Sequence, residues 1–168
     1  MKKRFSLYAI CFLCVMSIVG CGYQLGSIKV GDKDNLHIPI FKNNTNTYGI
    51  EGLVTEAVIN RLLVDGSYKI VGKDQADYIL DGEIIEYRRD ANVFDRADVP
   101  GEFRITITAR LTLKDAKTGK VIWTASDAYG EANYARGAYQ LESERASWPA
   151  VTEDLARDIT EKISDGGW

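Results

Sequence analysis

The chain has almost none of the residues that form disulfides or bind soft metals. Its three cysteines all lie near the N-terminus, at Cys11, Cys14 and Cys21, and His37 is its only histidine. The chain after Cys21 contains no thiol, so no disulfide can stabilise it. A zinc site built from the usual cysteine and histidine ligands is excluded as well. Packing alone has to stabilise the domain that follows.

Motifs for catalysis and nucleotide binding are also missing. The sequence contains no nucleophile elbow, no glycine-rich phosphate loop, no HExxH pair and no calcium-loop spacing. His37 lies in an apolar strand pattern, where a structural role is expected. Four acids, Asp74, Asp77, Asp81 and Glu83, form either a carboxylate pair or a solvated face and turn. The sequence therefore predicts a protein that is not an enzyme and that needs no cofactor or metal.

The charge of the chain is acidic. It carries 21 basic and 24 acidic residues, a net charge of −3. Lys2, Lys3 and Arg4 lie in an N-terminal segment that we expect to be removed, which leaves 18 basic against 24 acidic residues and a net charge of −6. Such a surface argues against nucleic-acid binding, for which a basic footprint is expected. An anionic ligand would have to meet a local basic patch.

The N-terminus has the layout of a bacterial lipoprotein signal. Three positive charges precede a short apolar run that ends in Ile18-Val19-Gly20-Cys21. The run is short for a membrane-spanning helix, which needs about 20 apolar residues, and it suits a secretory signal. We expect cleavage before Cys21 and lipidation of its thiol and new amino group; an uncleaved anchor helix is the alternative. Gly22 follows instead of aspartate, which resembles lipoproteins sorted to the outer membrane.

Three segments are predicted along the chain. Residues 1–20 are the signal peptide, residues 21–35 a lipid-anchored tether, and residues 36–168 a single domain. The tether is rich in glycine and polar residues, which favour an irregular chain. The third segment has the length of one ordinary domain with one core.

The first half of the domain predicts a strand, a helix and a second strand. The strand at residues 36–41 contains Pro39, which cannot donate to a ladder, so we expect an edge or an irregular point there. A polar turn at residues 42–47 offers helix N-cap residues. The helix at residues 48–64 has one broad apolar stripe and ends at Gly66. A strand at residues 68–71 then pairs in parallel through a right-handed crossover.

The second half predicts long antiparallel strands and a final helix. Strands are expected at residues 77–89 and 102–114, followed by a turn at 115–119 and a returning strand at about 120–131. The apolar face of the first long strand shifts near Ile84 and Ile85, which indicates a β-bulge.

The last helix has Ser147 as N-cap, Pro149 in its first turn and a stripe of Val151, Leu155, Ile159 and Ile163, and it ends at Gly166-Gly167. The fold class is α+β. It is a two-layer sandwich, with two amphipathic helices packed on one face of a mixed, mostly antiparallel four- to five-stranded sheet.

Two segments are candidates for binding. Residues 88–96 form a predicted loop between the two long strands and contain Arg88, Arg89 and Arg96. Arginine suits bidentate binding of phosphate. Residues 129–139 are aromatic and small, with Arg136 among them, a composition that favours packing into another protein. Ordinary decoration of hairpin ends is the alternative for both. A basic row of Arg104, Arg110 and Lys114 on the polar strand face is a third candidate or a solvated row.

Several short motifs occur in an order typical of one family. They are Cys21-Gly22-Tyr23-Gln24-Leu25, the run from Ile38 to Thr45, Gly52-Leu53 at a helix start, and the run from Ala76 to Ile84, before a long hairpin and a terminal helix. Across residues 21–168 the chain resembles the LptE family of lipopolysaccharide-assembly lipoproteins. The resemblance implies a partner of the outer-membrane barrel LptD. Such a protein plugs the barrel lumen from the periplasmic side and helps to place lipopolysaccharide in the outer leaflet.

The resemblance also implies where ligands bind. Family members have basic residues for lipid A phosphates near the end of the first long hairpin and just after the last strand. Arg96 and Arg136 are the nearest matches, with Asp95 as the other residue that fits the first position.

Further candidates accompany these two. They are Arg88 and Arg89 for lipopolysaccharide, and Phe94, Tyr129, Tyr134 and Tyr139 for the barrel. The first half of the domain also resembles TolB-type amino-terminal domains and curli-export lipoproteins. A binding module of another envelope complex is therefore the alternative function.

Overall fold

A computed structural model describes residues 34–94, 100–136 and 140–164, without the side chains of Phe94 and Gln140. The elements are β1 (Asn35–His37), β2 (Lys42–Asn43), α1 (Ile50–Asp65), β3 (Lys69–Ile70), a 3₁₀ turn (Lys73–Gln75), β4 (Tyr78–Phe94), β5 (Pro100–Asp115), β6 (Val121–Ala135), α2 (Gln140–Ala146) and α3 (Trp148–Ser164). The predicted signal peptide, Cys21, most of the tether, Arg96, Tyr139 and Gly166-Gly167 lie outside the described residues.

The strands form one mixed sheet in the order β3-β1-β4-β5-β6, and β2 also pairs with β4. β1 runs parallel to β3 and β4, and β2 runs parallel to β4. The long strands β4, β5 and β6 are antiparallel neighbours. The predicted α+β class and the parallel pairing of the first and second predicted strands are confirmed.

The predicted strand at residues 36–41 is divided in two. β1 ends at His37 and β2 begins at Lys42, so the segment around Pro39 leaves the ladder. Phe41 remains 2% exposed, and its backbone N–H donates to Thr55 Oγ1 of α1 at 3.0 Å. The division, which follows from the missing N–H of proline, brings the described sheet to six strands instead of four or five.

Both ends of α1 are formed by glycines in the left-handed region. Gly49 precedes the helix with φ 88°, and Gly66 follows it with φ 75° and donates its N–H to the carbonyl of Leu62. The predicted end at Gly66 is confirmed. The polar turn supplies no side-chain N-cap. Instead, the Glu51 carboxylate accepts from the N–H of Gly49 and from Asn43 Nδ2, both at 3.0 Å.

Both long helices pack on the same face of the sheet. The inward side chains of α3 are the predicted stripe of Val151, Leu155, Ile159 and Ile163, all buried. The buried side of α1 consists of Ile50, Val54, Val58 and Leu62. Beneath them, the sheet contributes Leu80, Ile84, Ile105, Ile107, Ala109, Leu111 and Leu113. The other face of the sheet has no helix over it in the described part of the chain.

The long strands extend further than their patterns predict. β4 continues to Phe94, β5 begins at Pro100 and β6 reaches Ala135, so most of the predicted loop at residues 88–96 is strand. The apolar alternation of the sequence weakens over these residues, so the pattern does not indicate the longer strands. A short helix, α2, lies between β6 and α3 in the chain and was not predicted. Ser147 does not cap α3 with its hydroxyl, which donates to the carbonyl of Glu144 at 2.6 Å.

Gly82 of β4 lies against the ring of Phe41, in the segment after Pro39. A Cβ at this position would lie 2.3 Å from ring carbons of Phe41. We expect Gly82→Ala to lower the free energy of unfolding by about 1–3 kcal/mol through overpacking.

Gly52→Ala in α1 is the matched control, because nothing lies within 4 Å of the added Cβ. It should raise stability by up to about 1 kcal/mol through helix propensity. Urea unfolding measures both changes, and equal midpoints for the two variants would contradict the predicted close contact.

Candidate functional site

The far ends of the long strands separate the arginines that the sequence groups together. Arg88 lies opposite Thr106, and Arg89 lies opposite Ile105. Neighbouring residues of a strand point to opposite faces of a sheet. Arg89 therefore points toward the helices, and Arg88 points toward the face that no described helix covers, which we call the open face. Arg136 follows the end of β6 and donates its backbone N–H to the carbonyl of Gly101 at 2.9 Å.

Arg89 binds a carboxylate within the protein. Its guanidinium donates to Glu144 Oε2 of α2 at 2.8 Å and lies 5.6 Å from the centre of the Phe103 ring. Glu144 is buried, and its hydrogen bond raises the pKa of Arg89 above the ordinary value. The contact fixes α2 to the sheet. Arg89 is therefore a poor candidate for binding an external phosphate.

The same carboxylate connects two aromatic side chains. Tyr87 donates its hydroxyl to Glu144 Oε1 at 2.7 Å, and Trp148 donates its indole N–H to the Tyr87 oxygen at 3.1 Å. Burial, together with the hydrogen bond to Glu144, raises the pKa of Tyr87. The Arg145 guanidinium lies over the indole of Trp148, 5.7 Å from the ring centre. This cluster is a packed, hydrogen-bonded junction between β4, α2 and α3.

Tyr134, a candidate for partner contact, lies inside this junction. It is 7% exposed and stacks on Phe103 at 5.5 Å between ring centres. Burial raises the pKa of its phenol, and the negative charge of Glu144 acts in the same direction. Among the described residues, its hydroxyl has no hydrogen-bond partner. The side chain contributes to the core instead of offering an outer contact.

Arg88 and Arg136 remain at the surface. Arg88 donates to Asp90 Oδ2 at 2.8 Å and lies 3.7 Å from Glu86 Oε1, so two acids already surround its charge. Arg136 is exposed and forms no ion pair within the described part of the chain. Of the described arginine candidates, Arg136 has the charge that is most available to an anion.

The open face of the sheet carries a ladder of opposite charges. Lys114 pairs with Asp81 at 2.6 Å, Arg110 with Glu83 at 2.9 Å, and Arg104 with Glu131 at 3.5 Å. The basic row and two of the clustered acids thus neutralise each other across neighbouring strands. Threonines 106, 108 and 112 of β5 fill the positions between them. The result is a polar face with mixed charge.

The structure favours the simpler interpretation of the clustered acids and of His37. Asp77, the acid nearest β1, accepts hydrogen bonds from the backbone and side chain of Asn35. His37 contacts the carbonyl of Val71 through Nδ1 at 3.1 Å. No group of three or more potential metal ligands occurs among the described residues. These side chains hold β1 to its neighbours.

Two of the aromatic candidates have different settings. Tyr129 is 53% exposed and lies opposite Thr108, so it stands on the open face. Phe94 ends β4, and its side chain is outside the described set.

The sequence did not indicate Glu144 and Trp148, which organise the junction. A single acid in a short polar helix carries no pattern that separates it from solvated neighbours such as Glu142.

The comparisons with known proteins identify the family. The model of the LptE family, described as lipopolysaccharide-assembly, matches residues 34–165. The chain belongs to the LptE family. The resemblance noted in the sequence is thus confirmed. No curated protein sequence matches the chain, and none of the described helices has both the length and the apolar composition needed to cross a membrane.

Solved structures share the fold at low sequence identity. A candidate lipoprotein from Caulobacter crescentus CB15 has a TM-score of 0.52 and 16% identity, with 74% of this chain and 88% of that chain covered. The hypothetical protein CT253 from Chlamydia trachomatis has a TM-score of 0.54 and 12% identity, with 79% of this chain and 96% of that chain covered. The protein XCC0632 from Xanthomonas campestris has a TM-score of 0.56 and 9% identity, with 80% of this chain and 86% of that chain covered. At these identities the likeness concerns the fold alone.

The junction around Glu144 should be essential for attaching α2. In Glu144→Gln the amide keeps one acceptor for Tyr87 but loses the charge that binds Arg89. We expect the free energy of unfolding to fall by about 1–3 kcal/mol, the range for hydrogen bonds to charged groups. Glu142→Gln on the same helix is the matched control because Glu142 is exposed. Thermal unfolding followed by tryptophan fluorescence checks both, and equal melting temperatures would refute the role of Glu144.

Proposed function

We propose that this LptE-family protein is an outer-membrane lipoprotein, anchored through Cys21, that binds and plugs an LptD-type barrel. In that position it assists the placement of lipopolysaccharide in the outer leaflet. The family membership and the polar open face of the sheet support this function. The sequence pattern before Cys21 supports the lipid anchor. The protein would act by binding and positioning, without chemistry of its own.

The open face suits the interior of a membrane barrel. Barrels that span the outer membrane have polar interiors, so a plug needs a polar outer surface. The charge pairs of this face join residues that are 28–47% exposed, such as Glu83 and Glu131. Exposed pairs contribute only about 0–1 kcal/mol each to folding. Their value lies instead in offering alternating donors and acceptors to a polar partner.

Tyr129 provides a large side chain within this polar face. Exposed tyrosines often contribute strongly to binding because the ring buries apolar area while the hydroxyl retains a hydrogen bond. Thr108 of β5 lies opposite it and is polar. Tyr129 is thus the described aromatic candidate best placed to anchor the barrel wall. Phe94 and Tyr139 remain candidates from the sequence.

Lipopolysaccharide would meet the arginines near the strand ends. Arg136 combines exposure with the absence of a carboxylate partner among the described residues. The family resemblance assigns either Arg96 or its neighbour Asp95 to the position near the end of the first long hairpin. In an acidic protein, a phosphate would need a local basic patch, and guanidinium groups suit its geometry.

Capture of the barrel tests the proposed complex. The full-length protein, tagged at its C-terminus, should recover LptD from detergent extracts of the envelope. Tyr129→Ala should lower that recovery severalfold, since loss of an aromatic anchor costs about 2 kcal/mol or more. Tyr48→Ala is the matched control, because Tyr48 is 85% exposed but lies before α1. Recovery of another envelope complex without LptD would contradict the proposal and favour the alternative binding module.

Charge reversal tests the lipopolysaccharide site. Arg96→Glu with Arg136→Glu should weaken binding of purified lipopolysaccharide about tenfold or more, because each lost charged hydrogen bond costs about 1.5–3 kcal/mol. Lys120→Glu, at the opposite end of β6, makes a similar exposed change and should leave binding intact. Fluorescence titration measures affinity, and a melting curve shows that the fold is retained. Unchanged affinity in the folded double variant would exclude these arginines.

A further inference from the structure

The outer strand of the sheet, β6, has an edge that invites pairing. It stands at the end of the strand order and is 15 residues long, whereas strands usually have about 5–6 residues. An edge strand presents backbone N–H and C=O groups that can recruit another strand. A long edge of this kind commonly leads to self-association unless something covers it.

Two carboxylates of α3 occupy outward N–H groups of β6. Asp158 Oδ2 accepts from the backbone N–H of Tyr129 at 3.0 Å, and Asp154 Oδ2 accepts from the N–H of Glu131 at 2.9 Å. Four helical residues advance about 6 Å and two strand residues about 7 Å, so the two spacings match. The helix runs antiparallel to the strand, and each carboxylate therefore meets one outward amide.

Gly130, which lies between these two residues, permits the approach of α3. A Cβ at this position would lie 2.3 Å from the backbone N of Leu155 and 2.6 Å from the carbonyl oxygen of Val151. The helix backbone thus rests directly on the strand. Any larger residue would push α3 away and would withdraw the carboxylates from the edge.

Cations on the same helix hold the two carboxylates in place. Arg157 pairs with Oδ1 of Asp154, which leaves Oδ2 for the amide of Glu131. Lys162 lies 3.8 Å from Asp158 and 3.5 Å from Asp127 of β6. These bonds orient both acids toward the strand. The spacing, the glycine contact and the ion pairs all contribute to one closed section of edge.

We propose that α3 closes the β6 edge against strand addition by a second copy of this chain. Two copies of β6 could pair antiparallel about a twofold axis, because each edge offers the same alternation of donors and acceptors to the other. Asp154 and Asp158 occupy the donors of Tyr129 and Glu131 that such a pair requires. The inference is independent of the proposed barrel partner.

Removal of both carboxylates tests the closure. The full-length chain in detergent is compared with Asp154→Ala/Asp158→Ala by sedimentation velocity. The wild-type chain should remain a monomer, and the variant should form a concentration-dependent dimer. In the monomeric fraction, amide hydrogen exchange at Tyr129 and Glu131 should become about fivefold to tenfold faster, the factor for one lost hydrogen bond.

Matched variants separate charge from hydrogen bonding. Glu153→Ala/Glu161→Ala removes the same charge from exposed positions of α3 and should remain a monomer. Asp154→Asn/Asp158→Asn keeps an acceptor oxygen at each position and should dimerise less than the alanine variant. Adding Tyr129→Pro to the alanine variant removes an outward N–H and should restore the monomer.

Several outcomes would overturn the proposal. A folded alanine variant that stays monomeric would do so, as would a dimer that persists after Tyr129→Pro. If the alanine variant fails to fold, amide hydrogen exchange in the wild-type protein tests the proposal instead. Fast exchange of the Tyr129 and Glu131 amides would exclude their hydrogen bonds to the carboxylates.

Discussion

The alternation of β5 is the constraint on which the rest of the structure depends. This strand lies between β4 and β6, and its odd-numbered side chains from Ile105 to Leu113 are buried beneath the helices. A shift of one residue would expose all of them and would bury Arg104 and Arg110. The fixed register thus explains why both long helices lie on one face. It also explains why the other face consists of charged and hydroxyl side chains.

The first of the register shifts in β4, a bulge between Ile84 and Glu86, decides which of the following side chains point to each face. Before the bulge, Leu80 and Ile84 point toward the helices, and the register shifts between Ile84 and Glu86. After it, Tyr87 and Arg89 point inward to Glu144. Without the extra residue, Arg88 would occupy the inner position and would meet the buried carboxylate. The bulge therefore assigns one arginine to folding and leaves its neighbour on the polar face.

The sequence predicts the features that depend on local pattern. The stripe of α3, the end of α1 at Gly66 and the bulge in β4 each follow from spacing or from one special residue. The short helix α2 and the junction at Glu144 could not be found this way, because they depend on contacts between residues more than 50 positions apart, such as Arg89 and Glu144. Burial of Tyr134 was hidden for the same reason, since an aromatic residue at a strand end suits either a core or an interface.

The β6 edge and the open face of the sheet would have opposite roles in the proposed complex, since the edge prevents pairing and the face binds the partner. A barrel partner contains many strands, and an open backbone edge beside them could pair without regard to sequence. Asp154 and Asp158 of α3 occupy two outward amides of β6. Recognition would then proceed through side chains of the open face, where the order of charges and the position of Tyr129 can discriminate between partners. A closed edge and a patterned face together favour a plug that binds a barrel without joining its sheet.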